Sequence, residues 1–162
     1  MLQIFADFLA ILGRQCLKFL NSLQPLGLLV LRVVLGAIFL THGYPKLTHT
    51  SGALGAMFVQ HGLPAYFVYV SGVLETFGSL LLVLGLFTRG AALLLTVEMA
   101  VAIVKVHSVH GVMALHEYEF PLALGCALFV LATVGAGIAS VDHFIFGEGS
   151  SSRRRPQKSP RE

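Results

Sequence analysis

Three ionisable residues stand inside long apolar runs: Arg32 between Pro25 and Phe39, and Glu75 and Glu98 in the middle of two later runs. A charge at the centre of a membrane helix costs about 2.5 to 3.5 kcal/mol on insertion scales, so such groups pair, turn to the bundle interior and mark a site. One guanidinium can hold one carboxylate bidentately, which leaves a second acid nearby as the carrier of an exchangeable proton. The expected arrangement is a buried cluster of Arg32, Glu75 and Glu98, with Arg32 paired to Glu75 and Glu98 close enough to feel the pair.

The elements that position these groups follow from composition. Of 162 residues, 56% are hydrophobic and only 12% charged, and the mean hydropathy is +0.81. A soluble domain does not carry that little charge, so the lipid bilayer is the solvent to reason with. Apolar runs of about 20 residues without alternation select helices, because every backbone group in hydrocarbon must be satisfied within its own segment. The chain reads as an all-α integral membrane four-helix bundle over residues 25–146, with spans at 25–44, 66–87, 90–106 and 121–141. Thr88 and Arg89 leave room only for a tight antiparallel turn between the second and third spans.

Helical spacing assigns the faces. Arg32, Gly36 and Gly43 share one face of the first span; Ser71, Glu75 and Ser79 recur every four residues on the second; Glu98, Ala102 and Lys105 align on the third. On the fourth, Glu119, Ala123, Cys126, Thr133 and Gly137 form the expected inward stripe, since small residues let helices approach closely in lipid. Counting rises from the span centres puts Arg32, Glu75 and Glu98 within about 5 Å of one depth.

Lysine and arginine set the orientation. Arg14, Lys18, Arg89, Arg153, Arg154, Arg155, Lys158 and Arg161 fall on one side, against Lys46 and Lys105 on the other, so both termini are expected in the cytoplasm. Residues 1–21 place Gln3, Asp7, Arg14, Lys18 and Asn21 within about 60° on a helical wheel, as in an amphipathic helix lying in the interface. Residues 147–162 hold nothing to bury and read as a disordered basic tail.

The side opposite the termini gathers His42, His107, His110, His116 and Glu119, with His49, His61 and Glu117 nearby. Imidazoles at His107 and His110 could share a helical face, but no tight ligand motif accompanies them, and interfacial histidines are the favoured reading over a metal site. Cys16 and Cys126 are expected to be far apart, and the chain lacks CxxC, so dithiol exchange is excluded. No phosphate-binding loop or dinucleotide fingerprint is present, and no nucleic-acid partner is expected.

The stretch LRVVLGAIFLTHGYPK at 31–46 resembles the opening of the DoxX family of small membrane proteins. Gly62 and Pro64 in HGLP, Glu75 in VLETFGSLLLVLGLFTR, residues 102–107, EYEFP at 117–121 and the serine-aspartate ending at 140–142 follow in family order. By position, Arg32, Gly43, Lys46, Glu75, Arg89 and Glu119 match the family pattern; Glu98 does not belong to it, and Glu117 replaces a glycine. The resemblance implies a bacterial plasma-membrane four-helix protein, related to the quinone-linked DoxD type and often labelled an oxidoreductase.

The combined expectation is a membrane subunit or accessory of a redox system that contacts quinone or a soluble redox subunit. An apolar slot with a few convergent polar groups suits a quinone head, whose carbonyls accept hydrogen bonds or protons on reduction. The rival readings are a non-catalytic anchor or assembly factor, for which the charges are helix glue and the basic tail recruits soluble partners, and a small transporter.

Overall fold

The computed structural model describes residues 2–48, 52–107 and 115–146. Helix α1 spans Leu2–Thr48, α2 Gly52–Gln60, α3 Phe67–Leu84 and α4 Thr88–Ala102. A π-helical turn at Ile103–His107 continues α4, and α5 (Leu115–Val134) and α6 (Val141–Phe146) complete the order. Among the described residues there is no strand. The basic tail at 147–162, His49 and His110 lie outside the described residues.

Helices α1, α3, α4 and α5 form the bundle, and each buries one helical stripe. On α1 it is Arg32, Leu35, Gly36, Phe39 and Gly43; on α3 Val68, Gly72, Glu75, Ser79 and Leu82; on α4 Thr88, Ala91, Ala92, Leu95 and Met99. These i, i+3, i+4, i+7 spacings are one face of a 3.6-residue repeat. The outward faces are apolar as well: Phe77, Leu93, Val97, Phe129 and Val130 are all exposed. Water would not tolerate so continuous an apolar exterior, whereas lipid does. From Leu17, α1 is long and apolar enough to cross a membrane, as is α3; the apolar part of α5, Tyr118–Val134, is shorter. The molecule is an all-helical membrane bundle.

Three expectations change. Residues 2–21 are the first part of α1 and not a separate helix: α1 runs on through Pro25, which forgoes one backbone hydrogen bond there. The described side chains from Gln15 to Gln24 are all exposed. The fourth span begins earlier than expected and ends at Val134, just before Gly135. Its inward face is Pro121, Leu124, Leu128 and Leu131, while Ala123, Cys126 and Thr133 are exposed. Burial of the branched leucines against α4 outweighs the preference for small residues at a helix contact, so the stripe through Glu119 and Cys126 faces outward.

Gly43 sets the spacing of α1 and α3. A Cβ there would lie 2.6 Å from Glu75 Cβ and 2.7 Å from the Thr76 backbone nitrogen. The backbone of α3 cannot move aside as a side chain could. Gly43→Ala is accordingly expected to destabilise the detergent-solubilised protein by about 1 to 3 kcal/mol through overpacking. Gly27→Ala, where nothing lies within 4 Å, should be neutral or slightly stabilising because alanine favours helix. Equal melting temperatures for the two variants would contradict this packing.

Candidate functional site

The buried polar groups occupy two layers of the bundle. The first surrounds the turn between α3 and α4. Helix α3 ends on Gly85 in the left-handed conformation (φ 69°), with Leu86 donating its N–H back to the Leu81 carbonyl at 2.9 Å. Arg32 is completely buried and packs over Gly85 where any side chain would collide with its guanidinium. Its Nη2 donates to the Ala139 carbonyl at 2.5 Å, and Asp142 supplies the opposing charge. Asp142 itself accepts from the Phe87 and Thr88 backbone N–H groups at 2.7 and 2.9 Å and donates its own N–H to the Gly85 carbonyl at 2.8 Å. It thus caps α4 with a negative charge, as the helix dipole favours. Arg89 adds a bond of 3.3 Å to the Val134 carbonyl. The layer fastens the segment after α5 onto the α3–α4 turn.

The second layer is centred on Glu75. Ten residues of α3 separate Glu75 from Gly85, about 15 Å along the axis. Lys46, on the last turn of α1, reaches the Glu75 carboxylate at 2.6 Å and the Ser71 hydroxyl at 2.8 Å. Glu98 on α4 lies within electrostatic reach of Glu75 and Lys46. Both of its carboxylate oxygens are sealed from solvent, and no hydrogen bond of ordinary geometry ends on them, although the Ser71 hydroxyl stands close by.

This layer forms one wall of a cavity of about 500 Å³. His42, Lys46, Ser71, Glu75 and Glu98 supply its polar groups, and the rest of the lining is apolar, from α1 to α5, with Phe39, Phe58, Phe67 and Phe120 among the larger side chains. His42 bonds through Nδ1 to the Ile38 carbonyl at 2.8 Å and tilts against the Phe120 ring, centroids 6.4 Å apart.

The expected cluster is therefore split. Glu75 and Glu98 come together; Arg32 does not join them, and Lys46 takes its place as the cation beside Glu75. Counting from the centre of a span at 25–44 placed Arg32 too deep, because α1 continues through Pro45 to Thr48. The signal for Lys46 was present: the buried stripe 32, 36, 39, 43 continues to 46 at the same spacing. Of the outer cluster's described side chains, His42 lines the cavity. His116 and Glu119 form an exposed pair at 3.4 Å, and the side chain of His107 lies outside those described. Among the described residues, no three His, Cys, Asp or Glu side chains converge as metal ligands would.

Comparison with known proteins shows the family. The DoxX family pattern matches residues 27–108, half of the chain. The chain belongs to the DoxX family. An uncharacterized protein of Haemophilus influenzae is 34% identical over 135 residues, covering 78% of this chain and 96% of that protein. A Bacillus subtilis protein named "Putative oxidoreductase CatD" is 32% identical over 127 residues, covering 78% of this chain and 92% of its own length. No solved structure matches. The matched segment contains Lys46, Ser71, Glu75 and Glu98 of the second layer and Arg32 and Arg89 of the first, whereas Ala139 and Asp142 lie beyond it.

The split makes a thermodynamic prediction. In a double-mutant cycle, Lys46→Met and Glu75→Gln should couple by about 1 to 3 kcal/mol, since Lys46→Met leaves the buried Glu75 carboxylate without its cation. Arg32→Met and Glu75→Gln, with about 15 Å between their layers, should add within about 0.5 kcal/mol. Denaturation in mild detergent reads both cycles, and strong Arg32–Glu75 coupling would contradict the two-layer arrangement.

Proposed function

We propose that this DoxX protein is a membrane component of a redox system and that its cavity receives the head of a lipid-soluble quinone. The observation that carries the reading is the cavity itself: a bilayer-compatible apolar slot with one polar wall, made by Lys46, Ser71, Glu75 and Glu98. The name of the Bacillus subtilis relative supports the redox assignment.

Each polar residue has a chemical part in this reading. Lys46 donates through Nζ and can share that donation with a carbonyl oxygen presented beside Glu75. The Glu98 carboxyl, free of ordinary hydrogen-bond partners, is placed to exchange a proton with the head. His42 stands between the cavity and its exposed rim and offers Nε2, since Nδ1 is engaged. The apolar lining keeps water away from the reacting oxygens. Electrons come from a redox partner, of which a soluble subunit docking on the bundle is the form we favour. Arg32, Asp142 and Arg89 act on the fold and not on the ligand.

In this reading the protein crosses the bacterial plasma membrane four times, with both termini cytoplasmic and the first part of α1 on the cytoplasmic side. The eight-to-two basic bias supports that orientation. In a variant lacking Cys16 and Cys126, single cysteines introduced at positions 49 and 110 should react with a membrane-impermeant maleimide in intact cells. Labelling only after the cytoplasm is opened would reverse the topology.

Quinone binding has its own test. Natively purified protein should carry lipid quinone detectable by extraction and mass spectrometry. Glu98→Gln should lower quinone affinity about ten-fold, as loss of one hydrogen bond to a charged group predicts, while leaving the melting temperature unchanged. Wild-type protein that neither co-purifies with quinone nor binds it when added would refute the assignment.

A further inference from the structure

A second, smaller recess of about 120 Å³ lies between α3 and α4. Val73, Leu74, Phe77, Leu81 and Leu94 are among its walls, and Gly78 forms part of its floor against Leu95. Two of these residues, Leu74 and Leu94, also line the large cavity, so the two spaces adjoin. Their characters differ. The recess has no ionisable side chain in its walls, whereas the cavity concentrates Lys46, Glu75 and Glu98.

The recess faces outward. Val73 is 45% exposed, Phe77 59% and Leu94 56%, all on the lipid-facing surface of the bundle. Along α3 it runs from Val73 to Leu81, eight residues or about 12 Å. It starts at the level of Glu75 and extends toward the α3–α4 turn. A polar-walled chamber continued by an apolar furrow open to lipid has the shape of a molecule with a small hydrogen-bonding head and a single hydrocarbon chain.

We infer that the α3–α4 furrow is a lateral portal and chain-binding groove, holding the proximal isoprenoid chain of the quinone whose head occupies the cavity. This rests on the quinone reading of the cavity and adds how the ligand enters and which part of it the furrow selects. The ligand comes sideways from the bilayer between α3 and α4, and its head turns inward past Leu74 and Leu94 to the Glu75–Glu98 wall. Its first chain segment lies along Val73, Phe77 and Leu81, and the remainder stays in lipid. Affinity should therefore rise with chain length only until the furrow is filled.

Full-length protein in nanodiscs, titrated with a single-isoprene benzoquinone and with polyprenyl benzoquinones at matched mole fraction in the bilayer, tests the inference. Wild-type protein should bind the long-chain forms at least about ten-fold more tightly than the single-isoprene form, with no gain beyond the length that fills the furrow. Val73→Trp, which fills the furrow from its lipid side, should abolish the preference for long chains. Phe77→Ala, which takes away one wall without adding bulk, should weaken long-chain binding in the same selective way. The chain contains no tryptophan of its own, so the introduced indole also reports directly: long-chain quinone should perturb its emission more than the short-chain form. Equal affinity for both lengths in wild type, or long-chain binding untouched by both variants, would overturn the groove while leaving the head site standing. Failure of wild-type protein to bind either form would overturn the head site and the groove together.

Discussion

The close approach of α1 and α3 at Gly43 is the constraint on which the site depends. With the two backbones this near, Lys46 one turn further along α1 is brought level with Ser71 and Glu75 and can reach both. A wider spacing would leave Glu75 buried without its cation. A buried ion pair gains little over apolar packing once desolvation is counted, but breaking one by removing a partner costs about 3 to 5 kcal/mol. The packing of a glycine therefore controls whether the charged layer is tolerable at all.

The two polar layers solve different problems. Around Arg32 the backbone itself is irregular: Gly85 is left-handed, Phe87 has a positive φ of 47°, and the segment between α5 and α6 crosses the end of the bundle. Irregular backbone at the end of a membrane bundle exposes carbonyls and N–H groups that need partners. Arg32 supplies a donor to Ala139, and Asp142 supplies two acceptors to the start of α4. Around Glu75 the backbone is regular helix and needs nothing. Polar side chains there answer no local backbone demand, which is the physical ground for reading that layer, and not the arginine layer, as the place where a ligand is met.

What could be read from the sequence divides along the same line. Helical periodicity was sufficient to bury Arg32, Glu75 and Ser79, because a 3.6-residue stripe depends only on local geometry. The relative depth of charges on different helices depends on where each helix starts and stops, and Pro25 and Pro45 gave false boundaries on α1. On α5 the expectation named the small stripe through Ala123 and Cys126, although the leucines at 124, 128 and 131 share a face at the same helical spacing. Only the packing partner decides between them, and α4 presents Ala92, Leu95 and Met99 at that contact, which leaves space for leucines. Glu119, expected on the inward stripe, is instead in an exposed pairing with His116.

The charge balance of the inner layer finally links its occupant to protons. Lys46, Glu75 and Glu98 contribute one positive and at most two negative charges within a single apolar cavity, while Arg32 is too far along the bundle to compensate. One ammonium can balance one carboxylate, so neutrality of the layer requires one more positive charge, either a proton or a cation. A ligand that enters the cavity meets that requirement or competes with whatever does, and its binding is then tied to proton uptake or release by linkage. A quinone head, the occupant proposed above, would couple the two directly, because quinone reduction consumes protons at its oxygens. A purely structural ion pair would have no use for the second carboxylate. Glu98, which carries no ordinary hydrogen bond of its own, is therefore the residue at which this chain's chemistry departs from helix packing alone.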